Sequence, residues 1–140
     1  MRLIIAGSRK LRPEDFDFPS SYSLIGYTLD LLGWEPSEIV SGLCRNSPDM
    51  WGLDFAEAKG LALKPMPADW KKYGKYEAGK IRNHEMGDYA DRLICFWNGV
   101  SGGTKDMFDY MHKLGKPYEV FTPTRINNSR NLQDVLNDET

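Results

Sequence analysis

Residues 93–104 read Leu93-Ile94-Cys95-Phe96-Trp97-Asn98-Gly99-Val100-Ser101-Gly102-Gly103-Thr104. A short apolar run stops at a glycine-rich turn. An amphipathic segment, Thr104 to Leu114, then places Met107, Phe108, Met111 and Leu114 on one stripe. The pattern is that of a buried strand turning directly into a helix. Such a turn aims backbone N–H groups without intrahelical partners at one spot, which suits a phosphate. Ser101 or Thr104 fits the N-cap, and Gly102 and Gly103 let a ligand approach the backbone closely. Leu3-Ile4-Ile5-Ala6 running into Gly7-Ser8-Arg9 repeats the pattern near the N-terminus. Taken singly, each turn is explained as well by a tight chain reversal as by a ligand seat. Two of them on neighbouring strands favour a nucleotide or nucleotide-derived ligand.

Working outward, apolar runs alternate with helical segments. Strands are expected over 2–6, 38–41, 61–66, 92–97 and 118–121. Helices are expected from Ser20 to Leu32, from a cap at Asp49 to Lys59, over 76–90, and from Thr104 to Leu114. Gly33, Gly60 and Gly115 stand where three of these helices stop. Pro65 puts the third strand at a sheet edge. Residues 10–19 and Pro67-Ala68-Asp69-Trp70 read as loops. The strands are continuously apolar rather than alternating, so both faces are buried. The βαβαβαβαβ order predicts an α/β, Rossmann-like sandwich: a mostly parallel five-stranded sheet in the order 3-2-1-4-5. One domain spans residues 1–122, and 123–140 form a polar tail with a weak helix around 131–137, or no order.

The 140 residues carry a formal net charge of −2. That balance, with no basic run, argues against nucleic acid and an anionic membrane as partners, so local donors must hold an anion. No apolar run approaches the ~18 residues of a membrane span. The run after Met1-Arg2 is too short for a secretory signal core. Cys44 and Cys95, without CxxC spacing, point to free thiols in a reducing cytoplasm. His84 and His112 lack ligands at metal-binding spacing, so neither a metal nor a cofactor is expected.

The candidate ligand-binding residues are Gly7, Ser8, Arg9, Ser41, Gly42, Asp69, Trp70, Arg82, Asn83, Ser101, Gly102, Gly103 and Thr104. Glycine amides and hydroxyls would hold phosphate, and Arg9 and Arg82 would neutralise it. Trp70 or Asn83 would meet base or ribose. Gly79 is costly inside a helix, which suggests a close contact or a later helix start. Core packing is expected of Trp97. Neither GxGxxG nor GxxxxGK[ST] is present.

The ordered set Gly7-Ser8-Arg9, Val40-Ser41-Gly42, Pro67-Ala68-Asp69-Trp70, Gly79…Arg82-Asn83, Ala90-Asp91 and Ser101-Gly102-Gly103-Thr104 resembles the YspA-like branch of the SLOG superfamily, over about residues 1–121. The resemblance implies a Rossmann-like sheet that binds nucleotides or nucleotide-derived ligands. Relatives include the cytokinin-activating LOG phosphoribohydrolases, DprA and sensor domains of bacterial conflict systems. It further implies self-association and a phage or mobile-element origin. The chain departs from the pattern at Leu43, where the branch has glycine, and at Arg45-Asn46-Ser47-Pro48-Asp49, which replaces a Gly-Ala-Asp-like turn. LOG enzymes carry a catalytic glutamate where this chain has Met107, and their paired arginine corresponds to Arg82. A thioether cannot serve as a base or stabilise an oxocarbenium-like centre. The leading expectation is therefore a binding protein. The alternative is a nucleotide N-glycosidase with a relocated carboxylate, with Arg82, Glu85 and Asp69 as catalytic candidates and Glu77 as a further carboxylate.

Overall fold

The computed structural model describes residues 1–123. The tail from 124, with the helix expected near 131–137, lies outside the described residues. Five strands, β1 (Arg2–Gly7), β2 (Glu38–Ser41), β3 (Ala62–Pro65), β4 (Arg92–Phe96) and β5 (Tyr118–Phe121), form one sheet in the order β3-β2-β1-β4-β5. Every pairing is parallel. The helices are α1 (Ser21–Leu32), α2 (Pro48–Lys59), α3 (Trp70–Tyr89) and α4 (Gly102–Leu114). This is the expected Rossmann-like architecture. Among the described residues, no helix is long and apolar enough to cross a membrane.

Strand periodicity divides the core in two. Leu3, Ile5, Ile39, Ile94 and Phe96 face α1 and α2, where Leu24, Ile25, Trp51 and Phe55 meet them. Ile4, Ala6, Val40, Leu93 and Cys95 face α3 and α4, where Met86, Met107 and Met111 meet them. Each large apolar side chain so buried contributes about 1.5–3 kcal/mol. The sheet is wound outward from β1 in both directions. The carboxyl ends of β1 and β4 therefore flank the switch point, where open α/β sheets bind ligands.

Three of the four helix starts differ from the sequence reading. Ser47, not Asp49, caps α2: its Oγ accepts the Asp49 amide, and Pro48 takes the first helical position, where its missing N–H costs nothing. Asp49 lies one residue further in. Of the two caps the sequence offers α4, Ser101 is the one used, so the helix opens at Gly102 rather than at Thr104. α3 opens with an extra turn from Trp70, capped by Asp69; Gly74 (φ 83°, ψ 174°), in a conformation open only to glycine, breaks it there, and the helix beyond agrees with the one expected from residue 76. The expected loop at 10–19 holds a 3-10 turn, Pro13–Phe16, pinned because Phe16 is buried edge-on against Phe96 and Trp51.

Candidate functional site

A cavity of about 440 Å³ opens at the carboxyl ends of β1 and β4. The β1 turn, the β2–α2 loop, one face of α3 and the first turns of α4 surround it. The α3 contribution follows helical spacing: Gly79, Arg82, Asn83 and Met86 recur at i, i+3, i+4 and i+7.

The two glycine-rich turns are not equivalent. In the β4–α4 turn, Asn98 Oδ1 accepts the amides of Val100 and Ser101, and the Trp97 indole donates to the Ser101 carbonyl. The Ser101 side chain accepts the Thr104 amide, and its carbonyl accepts the Lys105 amide. The amides of Gly102 and Gly103 have no partner among the described residues, and both glycines line the cavity. A Cβ on either would meet nothing within 4 Å. The seat is preformed and open.

The β1 turn faces its own chain. The Ser8 amide donates to the Phe96 carbonyl and the Lys10 amide to the Asn46 carbonyl, while the Gly7 amide is directed at the Asp49 carboxylate. A Cβ on Gly7 would collide with the Phe96 carbonyl and with Pro48, so strand and helix packing account for this glycine. Ser8 is buried, with its hydroxyl bonded to Thr104 Oγ1 at 3.0 Å and to the Asn98 amide at 3.1 Å. It braces the second turn from behind. Of this turn, Gly7 and the exposed Arg9 reach the cavity.

Among the cations lining the cavity, Arg82 is the most strongly oriented. Its Nη1 donates to the Gly42 carbonyl at 2.9 Å and its Nε to Asn83 Oδ1 at 3.1 Å. Nη2 has no partner among the described residues and is free for an anion. Gly42 is a glycine because a Cβ there would overlap the Arg82 guanidinium. Asn83 is 7% exposed and donates to the Gly103 carbonyl at 3.1 Å and to Asp106 Oδ2 at 3.3 Å. It fixes the first turn of α4 with donors already engaged. Ser41 is buried with its hydroxyl on the Asp49 carbonyl. Asp69 accepts the Lys72 amide as a cap. Neither lines the cavity, whereas Trp70, 50% exposed, does. Gly79 is a true helix-interior residue whose absent Cβ would come no closer than 4.0 Å to the Trp70 indole. Trp97 packs edge-on against Phe108 and ties the turn through its indole N–H.

Glu85 and Glu77 are exposed, and neither lines the cavity. Two carboxylates that do are Asp49 and Asp106, which sequence reading did not assign to the site. Asp106 Oδ1 lies 3.1 Å from His84 Nε2, and His84 stacks on Tyr110. Lys75, Tyr76 and Lys80 also line the cavity and were missed. Their signal was spacing around Gly79 on one helix face. Asp49 is 4% exposed, and burial raises its carboxyl above the ordinary 3.8, opposed by the Cys44 and Gly7 amides and the Arg82 charge. Burial chiefly, with the Asp49 charge, also raises the Cys95 thiol, which stays protonated.

The Asp49 shift has a stability consequence with a definite sign. The folded state holds this proton more tightly than the unfolded chain. The charged form therefore costs stability, and that cost grows as pH rises from 3.8 to the folded value and stays constant above it. The melting temperature of Asp49→Asn relative to the unaltered protein should rise across that window. A difference that stays flat with pH would contradict the shift.

A second hollow of about 610 Å³ lies among Tyr22, Tyr27, Trp34, Phe55 and Lys59 on the α1–α2 side. Lys59 is the one cation among its lining residues. No family model matches the chain, and neither the curated proteins nor the solved structures give a match. The likeness to the SLOG superfamily therefore rests on the ordered motifs of the sequence.

Proposed function

We propose that this protein is a small SLOG-type domain that binds, and thereby senses or sequesters, a nucleotide-derived small molecule in the cavity at the β1–β4 switch point. One observation carries this reading: the unpartnered amides of Gly102 and Gly103 open into the same cavity as the guanidinium groups of Arg9 and Arg82. Helix N-terminal amides and a pre-oriented guanidinium both favour a phosphate. Trp70 and Tyr76 at the rim offer ring faces to a base, worth about 1–3 kcal/mol when stacked. The volume is within the range of small-ligand sites. Free Cys44 and Cys95 fit a reducing cytoplasm.

Cleavage is the second reading, and Asp49 is the observation that favours it. A buried carboxyl with a raised pKa beside a cationic ligand seat suits a general acid. The carboxylates expected from sequence do not reach the cavity, so this role would fall to Asp49 or Asp106.

Incubation of the purified protein with nucleoside monophosphates, ADP-ribose, NAD and cyclic dinucleotides separates the two. Thermal shift reports binding, and chromatography reports the fate of the small molecule. A raised melting temperature with intact ligand is the expected result. Release of free base would establish the glycosidase instead, and no shift with any member would refute both.

A further inference from the structure

We propose that Asp49 and Arg82 together read a ribose hydroxyl, so that the cavity takes ribonucleotide-type ligands in preference to their deoxy counterparts. The inference rests on the anion-binding reading above and specifies the sugar.

The geometry starts at Gly42. A Cβ built there would lie 3.0 Å from Asp49 Oδ2 and would overlap Arg82 Nη1. An acceptor and a donor therefore flank one point. They do not close on each other, because no oxygen of Asp49 comes within the 4.0 Å of an ion pair with Arg82. Opposite charges this close normally collapse into a pair unless other bonds hold them apart. Such bonds are present on both sides. Gly42 and Asn83 hold Arg82, and the Cys44 amide holds Asp49 Oδ2 at 3.0 Å.

Both groups retain capacity toward the cavity they line. Arg82 Nη2 is without a partner among the described residues, and its two N–H groups allow one bond to the phosphate and one to a hydroxyl. An ionised carboxylate accepts roughly four hydrogen bonds, and two backbone amides leave about half of that free. The class of ligand group follows by elimination on charge. A second phosphate would be repelled by Asp49, and an ammonium group by Arg82. A hydroxyl donates once and accepts twice, which matches one carboxylate and one guanidinium. In a molecule whose phosphate lies on Gly102 and Gly103, the ribose supplies hydroxyls. A buried polar pair that loses its hydroxyl partner discriminates strongly against the analogue lacking it.

The test uses the full chain with adenosine 5′-monophosphate and its 2′-deoxy and 3′-deoxy forms, by calorimetric titration. At least one deoxy form should bind about tenfold or more weakly than the ribonucleotide. In Asp49→Asn the gap should shrink, since the variant offers a weaker acceptor. Equal affinity for all three would overturn the inference while leaving the anion site standing. A full gap retained in Asp49→Asn would remove Asp49 from it. Failure of all three to bind, while another member of the panel raises the melting temperature, would overturn the inference and leave the anion site standing, and failure of every member would defeat both. The comparison within the unaltered protein needs no variant to fold.

Discussion

Gly103→Val is expected to remove nucleotide binding and to leave the fold intact. The residue lies in the first turn of α4, its amide has no partner among the described residues, and it lines the cavity. A phosphate oxygen accepting this amide would sit against the backbone, in space that valine methyl groups would fill. Nothing within 4 Å of the missing Cβ belongs to the protein itself. The packing penalty that usually accompanies glycine substitution is therefore absent. The helix cost is small, since valine is no worse a helix former than glycine. Affinity for the best ligand of the nucleotide panel should fall about a hundredfold, roughly 2.7 kcal/mol. The melting temperature without ligand should move little. Undiminished affinity in the folded variant would place the phosphate elsewhere.

Gly42→Ala should damage the site by a different route. Its Cβ would occupy the place of the Arg82 guanidinium, the far end of a flexible side chain. The guanidinium would swing out, losing its bond to the Gly42 carbonyl. Affinity should drop about tenfold or more, close to the effect of Arg82→Ala, for a charge-assisted contact. The decisive comparison is the double variant. If Gly42 acts through Arg82, Gly42→Ala with Arg82→Ala should bind no worse than Arg82→Ala alone, the mark of strongly coupled sites. Additive losses would show that Gly42 contributes to the ligand seat independently.

Much of the fold was legible because local signals agreed with one another. Continuous apolar runs marked β1, β2 and β4, which are buried on both faces, whereas the edge strands β3 and β5 stay largely or partly exposed. Gly33, Gly60 and Gly115 each end a helix at positive φ, as their places after amphipathic segments indicated. The β4–α4 turn was legible for the same reason: a cap, two glycines and a helix are consecutive residues. What escaped the sequence depends on partners far along the chain. Gly7-Ser8-Arg9 resembles the second turn as a string, yet the Gly7 and Ser8 amides are directed at Asp49 and Phe96. Gly42 and Arg82 are forty residues apart, and only tertiary packing shows that one is glycine to seat the other. Asp49 reads as a helix cap because capping and first-turn acids share composition. Its burial beside Arg82 requires β2, α2 and α3 to be assembled. Gly74 carried a usable signal, a glycine between Tyr73 and Lys75, and it splits α3 at that point.

The location of the ligand is tested most directly by a backbone-amide NMR titration of the ¹⁵N-labelled protein with the nucleotide giving the largest thermal shift. The expected result is that the Gly102 and Gly103 amides move most, together with the Arg82 Nε–H signal, and that all three saturate with one affinity. Perturbations confined to Tyr22, Tyr27, Trp34 and Phe55, with Gly102 and Gly103 unmoved, would contradict it and place the ligand on the α1–α2 side of the sheet.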